Sequence, residues 1–148
     1  MAMTNAFDAN SAVKRRGAVA VIVRDERLLV IRRSRHVPAP GRLCFPGGGI
    51  EPDESEEIAL IREIREELNV SVRPVRRLWS SITPWGVALA WWLADLPTDA
   101  APVATPAEVE SIHWYTIDEM RNLAELLESN HDFLAALARG EFSLGSEP

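Results

Sequence analysis

The chain has 148 residues, of which 47% are hydrophobic and 26% charged, a composition typical of one soluble globular domain with a substantial core. Its formal net charge of −6 disfavours electrostatically driven binding to nucleic acids. A single cysteine, Cys44, excludes an internal disulfide and favours a reducing compartment, which we expect to be the cytoplasm, and no apolar run is long enough to predict a membrane span.

The N-terminal half is predicted to be mainly β-structure. A flexible tail is expected at 1–12, a single domain at 13–140 and a second tail at 141–148. Apolar runs at 17–23 and 28–32 flank a polar turn and predict a β-hairpin. A loop rich in proline follows, and a short strand at 43–45 then leads into Pro46 and three successive glycines.

Residues 47–70 join these glycines to a helix rich in carboxylates. We expect this helix to begin near Pro52 or Asp53, with Asp53 as a candidate N-cap, and to end near Leu68. Asn69 tolerates the left-handed backbone conformation and is a suitable C-cap.

The C-terminal half alternates strands with turn signals. Strands are predicted at 70–79, with a bend at Pro74, and at 87–93, where Trp91 and Trp92 point to opposite faces. A turn at 83–86 separates them, and a surface loop at 97–106 precedes a last strand at 109–115. Two helices are expected at 116–127 and from Ser129 or Asn130 to 139.

The carboxylate-rich helix has two distinct faces when residues are spaced by about 100°. One face is an apolar stripe suited to docking on a sheet, formed by Leu60, Ile61, Ile64 and Leu68. The other holds Glu63, Glu66 and Glu67 around Ala59, whose small side chain leaves room for a ligand. Like charges three or four residues apart cost about 0.2–0.5 kcal/mol per pair. A solvated acidic face and a divalent-metal face are both consistent with this pattern.

The spacing of the polar residues in this stretch resembles the Nudix box. Gly48 is followed after five residues by Glu54 and after seven more by Arg62-Glu63-Ile64-x-Glu66-Glu67-x-x-Val70. A chance match in one window is on the order of 1 in 10⁸ at ordinary residue frequencies, so the motif is specific. The chain is therefore identified as a member of the Nudix hydrolase family, MutT-like, with the resemblance plausible from Arg16 to about Arg139. The family usually has glycine where Asp53 and Asn69 stand.

The resemblance implies the fold, the reaction and the metal ligands. We expect an α/β fold, an α/β/α sandwich with a central mixed β-sheet. We expect metal-dependent hydrolysis, by water attack on phosphorus, of a diphosphate linkage in a nucleoside diphosphate joined to another moiety. Mg²⁺, or Mn²⁺ as a substitute, would bind Glu63, Glu66, Glu67 and a carbonyl at Gly48. Arg62 would orient the carboxylates by ion pairing, with Glu54 as a candidate partner, since its planar fork pairs well with carboxylates.

The general base and the substrate contacts are less strongly specified. Candidate bases are Glu66, Glu63 and, outside the box, Glu108 and Glu110. Arg32, Arg33 and Arg35 either contact a phosphate of the substrate or simply lie at the exposed end of a strand. We select Arg32 and Arg35 as candidate substrate-binding residues. Trp85, in the turn at 83–86, is a candidate to stack on a base.

Two other functions share this fold. A catalytically silent nucleotide-binding module would not need all three glutamates of the box. An isomerase of the isopentenyl diphosphate type would want a cysteine and a glutamate that act at a carbon centre, and the sequence offers no clear such pair. Cys44, in an apolar strand, is expected to be a buried small hydrophobe. We expect the binding partner to be a small nucleotide diphosphate and expect no binding to nucleic acid or membrane. The sequence does not decide between a monomer and a homodimer. Oxidised nucleotides, ADP-ribose, dinucleoside polyphosphates and nucleotide sugars are not distinguished.

Overall fold

The computed structural model describes residues 13–145. The predicted N-terminal tail, residues 1–12, and the last three residues of the predicted C-terminal tail, 146–148, lie outside the described residues. Its strands are β1 (Arg15–Val21), β2 (Val23–Arg24), β3 (Arg27–Arg33), β4 (Leu43–Cys44), β5 (Gly47–Gly49), β6 (Arg73–Ile82), β7 (Val87–Asp95) and β8 (Val109–Tyr115). Its helices are α1 (Glu56–Leu68), α2 (Ile117–Arg121) and α3 (Glu128–Ala138).

The strands form two sheets. In the first, the strand order is β5-β1-β7-β6, and β1 runs parallel to β7 while the other neighbours are antiparallel. In the second, β3 pairs antiparallel with β2, β4 and β8. The mixed β-structure flanked by helices confirms the predicted α/β sandwich, although the β-layer is divided into two sheets.

The predicted N-terminal hairpin is present only in part. Asp25 and Glu26 both have positive φ values, 51° and 62°, which suit a tight two-residue turn between β2 and β3. The longer strand β1 does not continue this hairpin, because it pairs with β5 and β7 in the other sheet. The chain therefore passes from one sheet to the other at Ile22.

Two hydrophobic cores lie on opposite faces of the β-layer. Side chains of β3 alternate between them, with Leu29 and Ile31 in one core and Leu28 and Val30 in the other. The first core includes Leu60, Ile64 and Leu68 of α1, as the apolar stripe predicted. The second core includes the side chains Trp91, Met120, Phe133 and Leu134 beside α2 and α3. Trp91 and Trp92 point to different cores, as predicted.

Helix α1 begins later than the sequence suggested. Its N-cap is Ser55, whose hydroxyl accepts a hydrogen bond from the Ile58 N–H at 3.1 Å, so the proposed Asp53 cap was wrong. Asp53 instead belongs to a turn closed by the Glu54 N–H to the Glu51 carbonyl at 3.0 Å. The predicted C-cap is confirmed, because Asn69 has φ 58° and its N–H donates to the Arg65 carbonyl at 3.0 Å.

Ala59 does not leave an open space on α1. It is fully buried where the helix packs on β1 and β5, so the expectation of room for a ligand above it was wrong. The helix is turned so that Glu67 is also buried, at 5% exposure, while Glu66 points outward. The acidic face is thus split between interior and solvent.

The C-terminal helices differ from the prediction. Strand β6 begins at Arg73 and shows the expected irregularity next to Pro74. Helix α2 ends at Arg121 because the following backbone pairs with β4: the Leu43 N–H donates to the Glu125 carbonyl at 3.0 Å and the Leu127 N–H to the Leu43 carbonyl at 2.9 Å. Helix α3 then begins at Glu128, so neither Ser129 nor Asn130 is its cap.

Residues 141–145, assigned from the sequence to a C-terminal tail, pack against β6. Phe142 and Leu144 contact the second core, and the Arg76 guanidinium donates to the carbonyls of Ser143 and Gly145 at 2.8 and 2.7 Å. Among residues 13–145, no helix has both the length and the apolar composition needed to cross a membrane.

Candidate metal and substrate site

Strand β5 brings the backbone against the carboxylates of α1. A Cβ on Gly48 would lie 2.0 Å from Oε1 of Glu63, and one on Gly47 would lie 2.2 Å from the Ala18 carbonyl oxygen. Gly47, with φ 151° and backbone atoms against it, therefore requires glycine, whereas a side chain on Gly48 would displace the Glu63 carboxylate. The Gly47 N–H donates to Oε1 of Glu67 at 2.9 Å, which fixes this carboxylate beside the strand.

Three carboxylates meet at this point. One oxygen each from Glu63, Glu67 and Glu108 lies within 4.8 Å of the other two. Glu63 and Glu67 are one turn apart on α1, while Glu108 comes from the turn before β8. The group is thus assembled from two distant segments, and its donor atoms are the hard oxygens that Mg²⁺ and Mn²⁺ prefer.

The protein does not neutralise this group by itself. Burial raises the pKa of Glu67 from its ordinary 4.5 to about 8, and repulsion from Glu63 and Glu108 adds to this despite the Gly47 hydrogen bond and nearby Arg33. Burial also raises the pKa of Glu63, although Arg62 opposes it. A divalent cation would reverse both shifts, because it stabilises the ionised carboxylates.

Arg62 connects this group to the N-terminal end of the helix. Its Nε and Nη2 bind the two oxygens of Glu54 at 2.6 and 2.8 Å, and this pairing is the main reason that the pKa of Glu54 falls to about 2. Nη1 donates to Glu63 at 2.8 Å and to Glu66 at 3.3 Å, while Nη2 also donates to the Gly49 carbonyl at 2.9 Å. The guanidinium thus contacts the carboxylates that it was predicted to orient.

Glu66 lies beside the compact group and not within it. Its side chain is 48% exposed, because it projects about 100° from Glu67 around the helix. The predicted ligand set of Gly48, Glu63, Glu66 and Glu67 therefore overlaps the compact group at two residues, and Glu108 occupies the remaining place.

Glu108 and Glu110, both candidate bases, are separated by the structure. Glu108 precedes β8 in a turn, where its carbonyl accepts a hydrogen bond from the Ser34 N–H at 3.1 Å. Glu110 lies within β8, 4.0 Å from Arg32 Nε, with a side chain that is 61% exposed. Since Glu108 lies outside the strand, the rule that residues i and i+2 share a face does not apply to this pair.

A cleft of about 310 Å³ adjoins the carboxylate group. Gly47 and Gly48 line it on one side, and Arg33 lies at the boundary, since it both lines the cleft and lowers the pKa of Glu67. Trp85 lines the cleft with 61% of its surface exposed. The size suits a small-molecule ligand.

The two selected arginines, Arg32 and Arg35, do not line this cleft. Arg32 donates to Glu125 at 3.0 Å and to the Gly41 carbonyl at 2.8 Å on the other side of β3. Arg35 is exposed beyond the end of that strand. Arg33 instead donates to the Pro38 carbonyl at 2.6 Å and lies 3.7 Å from the Cys44 sulfur, and all three residues line the cleft.

Comparison with known proteins agrees with this geometry. A family model described as NUDIX domain matches residues 14–137. The chain belongs to the NUDIX domain family. It is 30% identical over 102 residues to the NAD-capped RNA hydrolase NudC of Stutzerimonas stutzeri (strain A1501), which covers 69% of this chain and 36% of that protein.

Two further relatives of this NUDIX protein come from Escherichia coli. The CTP pyrophosphohydrolase of strain K12 is 45% identical over 51 residues, or 34% of this chain and 38% of that protein. The solution structure of the ORF135 protein superposes with a TM-score of 0.70 at 25% identity, covering 88% of this chain and 93% of that one. The alignments span little more than a third of the two curated relatives.

Sequence reasoning missed two NUDIX site features. Asn130, considered only as a helix cap, is buried beside the cleft, and its Oδ1 accepts a hydrogen bond from the Phe45 N–H at 2.9 Å. Arg33 was passed over in favour of its neighbours Arg32 and Arg35, and no local sequence signal distinguishes it from them. Cys44 is buried as predicted, and burial raises the pKa of its thiol to about 11.

Proposed function

We propose that this protein is a NUDIX hydrolase that cleaves a diphosphate linkage in a nucleoside diphosphate joined to a further group, with Mg²⁺ as cofactor and Mn²⁺ as a substitute. The observation that carries the proposal is the compact group of Glu63, Glu67 and Glu108 beside the cleft. The names of two relatives, a CTP pyrophosphohydrolase and an NAD-capped RNA hydrolase, support the same reaction class.

The residues present fit a divalent cation. All donors are carboxylate oxygens, and the absence of a side chain on Gly48 leaves β5 free to approach Glu63. Glu63, Glu67 and Glu108 would hold the ion, with Glu66 and the Gly48 carbonyl as the further ligands that the family resemblance implies. When bound, such an ion neutralises phosphate oxygens and lowers the pKa of a water molecule.

The protein's own groups would then perform the remaining steps. Water attacks one phosphorus atom, the anhydride P–O bond breaks, and the bridging oxygen leaves with one of the two phosphates. A glutamate accepts the proton of the water, and Glu108, Glu66 and Glu63 are the candidates for this role. Arg62 holds the carboxylates in place through its bonds to Glu54 and Glu63.

The nucleoside would occupy the cleft. The exposed ring of Trp85 offers a surface on which a base stacks, a contact worth about 1–3 kcal/mol in other nucleotide-binding proteins. Arg33 is the cation between this cleft and the carboxylates, where a phosphate would lie. The net charge of −6 favours a small nucleotide over a long nucleic acid.

A panel of diphosphate substrates tests the proposal. We expect Mg²⁺-dependent hydrolysis of the diphosphate linkage in at least one of CTP, oxidised nucleoside triphosphates, NAD⁺, ADP-ribose, dinucleoside polyphosphates and nucleotide sugars, and no hydrolysis with EDTA. Triphosphates would release pyrophosphate or phosphate, whereas the other substrates would be split into two phosphorylated fragments, which chromatography detects. A short NAD-capped RNA, run beside free NAD⁺, shows whether a nucleic acid chain is accepted. Saturable binding of a nucleotide without turnover in Mg²⁺ or Mn²⁺ would instead identify a silent binding module.

A further inference from the structure

The loop before β8 is hydrogen-bonded to the C-terminal end of α1. The Val103 N–H donates to the Leu68 carbonyl at 2.9 Å, and the Thr105 N–H donates to the Glu67 carbonyl at 2.9 Å. The Thr105 hydroxyl donates to the Glu66 carbonyl at 2.6 Å. Carbonyls in the last turn of a helix lack partners within the helix, so this loop satisfies groups that would otherwise need water.

Asn69 joins the same contacts through its side chain. Its Nδ2 donates to the Val103 carbonyl at 2.8 Å and to the Thr105 hydroxyl at 3.3 Å. Its backbone, at φ 58°, already provides the left-handed cap. Glycine, usual at this position in the Nudix pattern, would form the cap equally well but has no amide to bind the loop.

Thr105 transmits these contacts to Glu108. The Thr105 carbonyl accepts hydrogen bonds from the Glu108 N–H and the Val109 N–H, both at 2.9 Å. Hydrogen bonds therefore run without interruption from the amide of Asn69, through Thr105, to the backbone of Glu108. The carboxylate of Glu108 is the member of the acidic group that does not come from α1.

We propose that Asn69 is a positioning residue, whose amide holds the loop at 103–108 so that Glu108 completes the carboxylate group. The inference rests on the proposed metal site, because Glu108 is useful at this position only if the group binds a cation. It assigns to Asn69 a role beyond that of a helix cap. Asparagine at this position therefore makes a contact with the loop that glycine could not make.

Metal affinity of the full chain provides the test. Titration with Mn²⁺, with the free ion followed by electron paramagnetic resonance, gives a dissociation constant without requiring turnover. We expect Asn69→Gly to weaken Mn²⁺ binding about tenfold, since loss of a residue that supports a metal ligand typically costs about 10–100-fold. Thr105→Val, which keeps the backbone bonds and removes the hydroxyl, should weaken it similarly. The thermal midpoint of Asn69→Gly should fall only modestly, because glycine keeps the left-handed cap and the two lost hydrogen bonds are exposed to solvent.

A double-mutant cycle separates positioning from general loosening. In a Glu108→Gln background, Asn69→Gly should weaken Mn²⁺ binding no further, because its effect passes through the Glu108 carboxylate. Asn122→Gly is the matched control, since Asn122 is also a helix C-cap whose amide donates to a carbonyl, that of Asp118, at 2.9 Å. This control should bind Mn²⁺ like the wild type.

The possible failures are distinguishable. A wild-type chain that binds no Mn²⁺ would overturn the proposed function itself. Wild-type binding with unchanged affinity in Asn69→Gly would overturn only the role of Asn69. Equal losses with and without Glu108 would also overturn it, since the amide would then act elsewhere. Faster hydrogen exchange at the Thr105 amide in metal-free Asn69→Gly is the expected local sign of the lost bonds.

Discussion

The N-terminal end of α1 and its inner face both carry glutamates, but in opposite electrostatic settings. At the N-terminal end, Glu54 binds Arg62, and Glu56 binds Arg77 and accepts a hydrogen bond from the Trp92 indole at 2.8 Å. Ion pairing lowers the pKa of both carboxyls. On the inner face, burial and mutual repulsion raise the pKa of Glu63 and Glu67.

The difference separates the carboxylates that have counterions within the protein from those that we propose to bind a metal. The N-terminal glutamates have their counterions within the protein, and their charges also suit the positive end of the helix macrodipole. Glu63 shares Arg62 with Glu54 and Glu66. Glu67 accepts a hydrogen bond from the Gly47 N–H, and both inner glutamates lie close to Glu108, so negative charge accumulates there. A buried excess of charge costs free energy unless a cation enters, which makes the inner face the expected metal site.

The largest effect should follow from removing an inner carboxylate. Glu67→Gln keeps the size of the side chain, and its amide oxygen is still an acceptor for the Gly47 N–H. It removes one charge from the metal site, so we expect turnover to fall by more than about 100-fold, beyond the usual cost of losing a supporting residue. Steady-state kinetics on the best substrate of the panel, with Mg²⁺, measure this loss.

The matched control is Glu57→Gln, which makes the same change on an exposed side of the same helix. Its turnover should remain within about twofold of the wild type, as is usual for changes away from a site. Wild-type activity in a folded Glu67→Gln variant would contradict the assignment of Glu67 to the metal site.

A smaller effect is expected on the stability of the metal-free protein. A carboxyl whose pKa is raised on folding binds its proton more tightly in the folded state than in the unfolded state. Its contribution to the free energy of unfolding therefore decreases as the pH rises through the interval between 4.5 and about 8, the two values for Glu67. In EDTA, the thermal midpoint of the wild type should be lower at pH 8 than at pH 5.

Two comparisons make this prediction specific. The decrease should be smaller in Glu67→Gln, which does not titrate there, with the remainder due to Glu63. Added Mg²⁺ at pH 8 should raise the thermal midpoint of the wild type much more than that of the variant, because a ligand stabilises the state that binds it. A midpoint independent of pH in EDTA would mean that the inner carboxylates are not under electrostatic strain.

The family and the helix could be predicted because their determinants are local. The spacing of Glu63 and Glu67 places them one turn apart in any α-helix, and Asn69 favours the left-handed cap wherever it ends a helix. These features depend on positions close in sequence, which is the information that periodicity carries.

The rest of the site depends on contacts between distant segments. Whether Glu108 or Glu110 joins the α1 glutamates is decided by where β8 begins. Two sets of hydrogen bonds fix that point: the Ser34 N–H donates to the Glu108 carbonyl, and the Thr105 carbonyl accepts from the N–H groups of Glu108 and Val109. Helix α2 was overestimated for a similar reason, because the pairing of Leu43 with residues 125–127 competes with helix formation. Neither interaction leaves a local pattern in the sequence.

The smallest effect should come from the N-terminal end of α1. Glu56→Gln removes the charge that pairs with Arg77, and we expect it to cost less than about 1 kcal/mol of stability at pH 7, because the half-exposed guanidinium is screened by solvent. Since ion pairing lowers the pKa of Glu56, this contribution is present above its ordinary 4.5 and decreases as the pH falls below that value. Urea unfolding of both proteins at pH 7 and pH 3 measures this contribution, and the two unfolding curves should converge at the lower pH.

The Mn²⁺ affinity should be unchanged in Glu56→Gln, because Glu56 has its counterion within the protein. If it fell as in Glu67→Gln, the two ends of α1 would form one electrostatic unit, and the division between structural and metal-binding glutamates would be wrong.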